Sequence, residues 1–187
     1  MAIWQHDYYL FPRSKLIKRY GTVHELEFFP DADLDAVDWW ADAPFPDKTK
    51  IEQILPQVTS WSPEIDMWGM NSENSFQVAY DEGRKRVEYV TVRFDLRTDY
   101  QPLRKLVQNI VELATRNEWV FFSKETGRIL SSEYQVIAKD LKLSTAQTYV
   151  TDPVSEIAEA QLRNSGWREG ENTVPLLRFP PRPNAGT

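Results

Sequence analysis

The chain has 187 residues, 41% of them hydrophobic and 27% charged, which places it among globular proteins and excludes the disordered, collagenous and membrane-spanning classes. It contains no cysteine, so disulfide scaffolds, cysteine nucleophiles and thiolate metal sites are excluded as well. The net charge is −6, yet residues 25–47 alone carry −8 with no Lys or Arg, so the remainder sums to +2.

In chain order, residues 3–11 (IWQHDYYLF) read as a strand of aromatic and branched residues. Pro12 opens a helix with Leu16, Ile17 and Tyr20 on one side, and Gly21 stops it. In 23–29, His24, Leu26 and Phe28 alternate with Glu25 and Glu27, the period of a half-buried strand. Residues 33–42 read as a short helix ended by Ala43-Pro44-Phe45-Pro46, and Asp47 as the N-cap of a helix bearing Ile51, Ile54 and Leu55. From Pro56 to Asn74 the turn-rich text predicts a long connecting loop.

The second half has clearer periodicity. Phe76, Val78 and Tyr80 alternate, Asp81-Glu82-Gly83 turns, and 87–96 returns as a strand, so 76–97 predicts a hairpin. Pro102 starts an amphipathic helix with Leu103, Leu106, Val107, Ile110, Leu113 and Ala114. Residues 119–130 predict a second hairpin around Gly127. Ser132 and Gln135 have capping-box spacing ahead of a helix with Tyr134, Ile137, Ala138 and Leu141, and Ser144 with Gln147 caps a further turn. Asp152-Pro153 starts a last helix that stops at Gly166. This order predicts a single α+β domain over 1–179, an antiparallel or mixed sheet built from the two hairpins with amphipathic helices on one face. Residues 180–187 (PPRPNAGT) read as a flexible tail.

Bulk properties set the expected setting. His6 and Asp7 interrupt what a signal peptide keeps apolar, and no stretch approaches the ~20 apolar residues of a membrane helix. The expectation is a cytoplasmic protein with no membrane partner. The acidic field repels phosphate backbones, so no nucleic-acid partner is expected.

Few residues offer chemistry. No GxSxG, HExxH, P-loop or GxGxxG motif occurs, and the two histidines, His6 and His24, both sit in strand-like text where a structural role is expected. Asp31, Asp33, Asp35 and Asp42 match positions 1, 3, 5 and 12 of a calcium loop, but Ala36 replaces the turn glycine and Asp42 the bidentate Glu, so a solvated acidic helix start is favoured and no metal is assigned. Arg93, Asp95 and Arg97 alternate on one strand face, readable as an ion-pair ladder or as two guanidinium forks holding a small anion. Glu64 and Asp66, flanked by Trp61 and Trp68, suggest a carbohydrate-type site with carboxylates and stacking platforms, the basis of an alternative reading as a carboxylate-dependent hydrolase. The tail also holds a PxxP.

The acidic segment carries the main functional expectation. Asp31, Asp33, Asp35, Asp38 and Asp42 surround Trp39-Trp40, and charge that steers association beside aromatic anchors suits a protein interface with a basic partner. The competing reading turns the tryptophans inward and leaves the aspartates for solubility.

The text from Trp61 to Pro153 resembles a group of small bacterial proteins, some of them associated with polymorphic toxin systems as immunity proteins. The likeness rests on Trp61-Ser62 and Trp68-Gly69 ahead of the first hairpin, then Arg93-x-Asp95-x-Arg97, the amphipathic helix, the hairpin at Gly127, Ser144-x-Ala146 and Asp152-Pro153. Ser131-Ser132 stands where that pattern has a proline after the second hairpin. The resemblance implies a cytosolic protein that neutralises a toxin by binding it, with no cofactor, and it transfers no catalytic residue.

Overall fold

The computed structural model describes residues 4–21, 23, 37–44 and 47–153. Among these, strands β1 (Gln5–Pro12), β2 (Gln57–Val58), β3 (Ile65–Gly69), β4 (Ser75–Tyr80), β5 (Val87–Asp95), β6 (Trp119–Ser123) and β7 (Arg128–Leu130) form one antiparallel sheet. Among the described residues five helices accompany it: α1 (Arg13–Tyr20), α2 (Lys48–Glu52), α3 (Tyr100–Arg116), α4 (Tyr134–Leu143) and α5 (Thr145–Thr151). The fold is α+β.

The strand order is β2-β3-β4-β5-β1-β6-β7. The two predicted hairpins are present, as β4–β5 and β6–β7, but they are not paired with one another. β1 lies between them, pairing Tyr8 with Val92 of β5 on one side and with Ser123 of β6 on the other. The first strand of the chain therefore joins the two halves of the sheet.

Register puts His6, Tyr8 and Leu10 on the same face as Val90, Val92 and Phe94 of β5 and as Phe121 and Ser123 of β6. All of these are buried. Helix α3 supplies Val107, Ile110, Val111 and Ala114, spaced three and four apart, to the same core, and α4 adds Ile137 and Leu141. The opposite face begins with Asp7, Tyr9 and Phe11. Phe11 and Tyr20 of α1 there meet the ring of Trp39.

Several expectations change. The predicted loop 56–74 contains β2 and β3, which widen the sheet beyond β4. Its alternation is hard to read because Asp66 occupies a position on the buried face, opposite Val78. Residues 37–42, the end of the predicted 33–42 helix, form turns, in which Asp42 has φ +58°. Ser132 does not cap α4; Glu133 stands at the N-cap without a side-chain bond, and the Ser132 hydroxyl donates to the Trp119 carbonyl. Ser144 does cap α5, accepting from the Gln147 N–H at 3.2 Å. The strand expected at 23–29, the helix expected after Asp152-Pro153 and the 180–187 tail lie outside the described residues, Val23 and Asp152-Pro153 themselves apart.

Candidate functional site

The acidic segment divides along its length. Asp31, Asp33 and Asp35 lie outside the described residues, and with them three of the four positions of the calcium-loop pattern. Asp38 and Asp42 are exposed. Trp39 and Trp40, at 1% and 4% exposure, belong to the core. Trp39 packs on Phe11 at 5.2 Å between ring centroids, and Trp40 meets Trp119 edge-on at 5.4 Å. The expectation of two tryptophan anchors on an interface is therefore corrected: burying two indoles is worth more than presenting them, and they fix this segment to the fold while its carboxylates face water. Among the described residues Asp38 pairs with Arg86 at 3.8 Å, an exposed contact of the kind that contributes little.

The tryptophans flanking Glu64 and Asp66 do not form paired platforms. Trp68 is fully buried against Phe76, whereas Trp61 is 70% exposed on the loop before β3. Asp66 accepts from Lys48 Nζ at 2.6 Å, Arg84 Nη2 at 2.6 Å and the Tyr80 hydroxyl at 2.8 Å. Burial opposes its charge, but those three donors outweigh burial and hold Asp66 below the ordinary carboxylate range. Glu64 accepts from the Ser62 hydroxyl and is likewise held low. A hydrolytic pair needs one carboxyl raised to serve as a general acid. Here both are held low by hydrogen-bond partners within the fold, and neither is raised towards an acid's range.

The arginine forks are filled as well. Arg93 holds Asp7 through Nε at 2.7 Å and Nη2 at 2.9 Å, and its Nη1 donates to the backbone carbonyl and side-chain oxygen of Asn71 at 2.8 Å. Arg97, just past β5, grips Asp95 at 2.6 Å and lies 4.2 Å from the Trp4 ring centroid. Both guanidiniums pair with internal carboxylates, the ion-pair arrangement that the spacing allowed, and Arg97 keeps 48% of its side chain exposed.

A constellation the sequence reading did not assemble sits on the helix-covered face. His6 of β1 is 2% exposed. Its Nδ1 lies 3.0 Å from Glu125 Oε2 in the β6–β7 turn, and its Nε2 lies 3.4 Å from Asp140 Oδ2 on α4. The Tyr8 hydroxyl donates to the same Asp140 oxygen at 2.8 Å, and Glu125 Oε1 accepts from the Thr145 N–H at 2.7 Å and its hydroxyl at 2.6 Å. Burial works against a charged imidazole here, but the two carboxylates overcome it and raise His6 to about 9. Burial raises Glu125, yet His6 and Thr145 more than reverse this and bring it to about 2. Asp140 is lowered by His6 and Tyr8 against the same penalty.

Ser123 Oγ is 3.5 Å from His6 Nε2, so Ser123, His6 and Glu125 stand in the order of a hydrolytic triad. The chemistry contradicts the resemblance. The base of a triad is a neutral imidazole that takes the serine proton, whereas His6 is protonated at neutral pH and faces a carboxylate at each nitrogen. Ser123 has no exposed surface at all. Nor do these groups chelate: the carboxylates occupy opposite edges of one ring, and among the described residues no three His, Asp or Glu side chains are arranged to hold a metal ion.

The sequence signal for this network was His6 itself, which alternates with Tyr8 and Leu10 on an apolar strand face and so demands polar partners. The partners are 117 and 132 residues away in the pairs Ser123–His6 and Tyr8–Asp140, beyond the reach of any local pattern. Among the described residues, no helix is long and apolar enough to cross a membrane. Comparison of the chain with protein-family models, curated proteins and solved structures gives no match.

Proposed function

We propose that the chain is a non-catalytic protein-binding module of immunity type, acting in the cytosol, which takes a basic protein partner through its acidic segment. The single observation behind this reading is the concentration of −8 in residues 25–47 of a chain whose total is −6. Support comes from the way the segment is mounted: Trp39 and Trp40 are sunk in the core, while Asp38 and Asp42 remain in water. Such a field steers a cationic surface towards it and repels nucleic acid. Further support is that the groups resembling catalytic sets are each engaged by hydrogen-bond or ionic partners within the fold. Steering sets association rate and salt dependence, and contacts elsewhere on the surface supply the rest of the affinity.

The test uses the full chain and a variant with Asp31, Asp33, Asp35, Asp38 and Asp42 all replaced by Asn, as parallel baits in lysate of the native host. Capture is compared at about 50 mM and about 500 mM salt, conditions that bracket weak and strong screening. The expected result is a stoichiometric basic protein on the parent bait at low salt, lost at high salt and absent from the variant. Equal capture by the folded variant overturns the reading.

A further inference from the structure

We propose that α4 and α5 form a hinged cover over the face of β1 and β6, fastened to the sheet by the imidazolium of His6 through Glu125 and Asp140. Among the described residues, every hydrogen bond from these two helices to the strands and their turns ends on one of those carboxylates: Tyr8 to Asp140, and the Thr145 N–H and hydroxyl to Glu125. Both carboxylates meet the same ring, one at each nitrogen. One cation thus joins a strand, a turn and two helices.

The rest of the attachment is modest. α4 and α5 together bury Ile137, Leu141 and Ala146 and rest the half-buried Tyr134, Val136 and Val150 on the core, whereas α3 alone buries five side chains, and the Tyr149 and Trp4 ring centroids lie 6.3 Å apart. Neither helix contributes to a strand ladder, so lifting them breaks no backbone pairing in the sheet. The link that precedes them is pinned, because the Ser132 hydroxyl donates to Trp119 and the Ser132 carbonyl accepts from Thr115 at 2.9 Å. Motion therefore pivots after Ser132. Beneath the cover lie Tyr8 and Phe121, edge-to-face with ring centroids 5.6 Å apart, and Ser123.

The titratable groups facing His6 are Glu125 from the β6–β7 turn, Asp140 from α4 and Tyr8 from β1; its partner across β5 is Phe94. Removing the imidazolium leaves the largely buried Asp140 and the partly exposed Glu125 without their shared cation, and the two attachment points then repel each other. Elements held mainly by such polar links open locally before the molecule unfolds.

Hydrogen exchange of the full chain, read by mass spectrometry at about pH 7, tests this. His6→Gln is expected to speed exchange of amides in 137–151 by about tenfold or more, the factor that ~1.4 kcal/mol corresponds to, and to leave β4, β5 and α3 unchanged. Glu125→Gln, at a more exposed position, gives the same map at smaller amplitude. If His6→Gln does not fold, Glu125→Gln and the parent chain compared at about pH 7 and pH 10, corrected for intrinsic exchange, carry the test. An increase spread evenly over sheet and helices, or none in 137–151, overturns the proposal.

Discussion

A histidine two residues from a tyrosine on an apolar strand face is an ordinary sight, and what distinguishes His6 is the sign of its titration. Its pKa rises from 6.5 to about 9 on folding, so the stability it confers is complete below about 6.5 and is lost as pH climbs through about 9. Glu125 falls from 4.5 to about 2, so its contribution is complete above about 4.5 and disappears as pH drops through about 2. Between those limits the network is charged at both poles. Urea midpoints measured from pH 5 to pH 10 are expected to fall on the alkaline side for the parent chain, and the slope between pH 7 and pH 9 is expected to flatten in His6→Gln. A parent profile flat across that interval would show that the imidazole is not protonated in the folded state.

Among the elements, the turn from β3 to β4 depends on one residue. Gly69 has φ +75°, and a Cβ there would lie 2.2 Å from the Asn74 carbonyl oxygen, which itself accepts from the Met70 N–H. Gly69→Ala is expected to cost about 1–3 kcal/mol in chemical denaturation, the range for a strained backbone position, and an unchanged midpoint would count against this geometry. This is also where sequence and structure part. The stripe of α3 and the alternation of β5 were legible because side chains there follow the burial of their own face, whereas β6 is buried along its whole length and announces itself only by its aromatic and branched residues. β3 was not legible, since Asp66 stands on the buried side and is tolerated only because Lys48 comes from α2 and Arg84 from the β4–β5 turn. Capping was legible at Ser144 and misleading at Ser132, whose hydroxyl is taken by a carbonyl 13 residues away. The arginine ladder was visible in its spacing, but the filling of Arg93 by Asp7 depends on strand order, which no local pattern encodes.

At the scale of the molecule, the decisive arrangement is β1 between β5 and β6. The two hairpins share no ladder of their own, so without β1 the sheet falls into two pieces, each with a bare edge and an uncovered apolar face. A chain lacking residues 1–12 is expected to lose its cooperative thermal transition by circular dichroism and to self-associate in size-exclusion chromatography. A sharp transition at the parent's midpoint would mean that the halves meet without β1. The acidic segment is organised at the same scale. Trp39 ties it to Phe11 at the end of β1, so the region proposed to receive a partner is moored to the strand that holds the sheet together.

Synthesis runs from the N-terminus, so β1 is made before the strands it pairs with. Its partners are β5 at 87–95 and β6 at 119–123, so an aromatic strand leaves the ribosome about a hundred residues before its second neighbour exists. The β4–β5 hairpin can close early on its own, while the contacts that complete the sheet span most of the chain and close late. The growing chain must therefore carry Tyr8, Tyr9, Leu10 and Phe11 without their strand partners until β5 and β6 follow, and a product cut short before residue 123 keeps an aromatic strand with an unserved edge. Slow completion and early exposure are consequences of the same strand order that unites the finished fold.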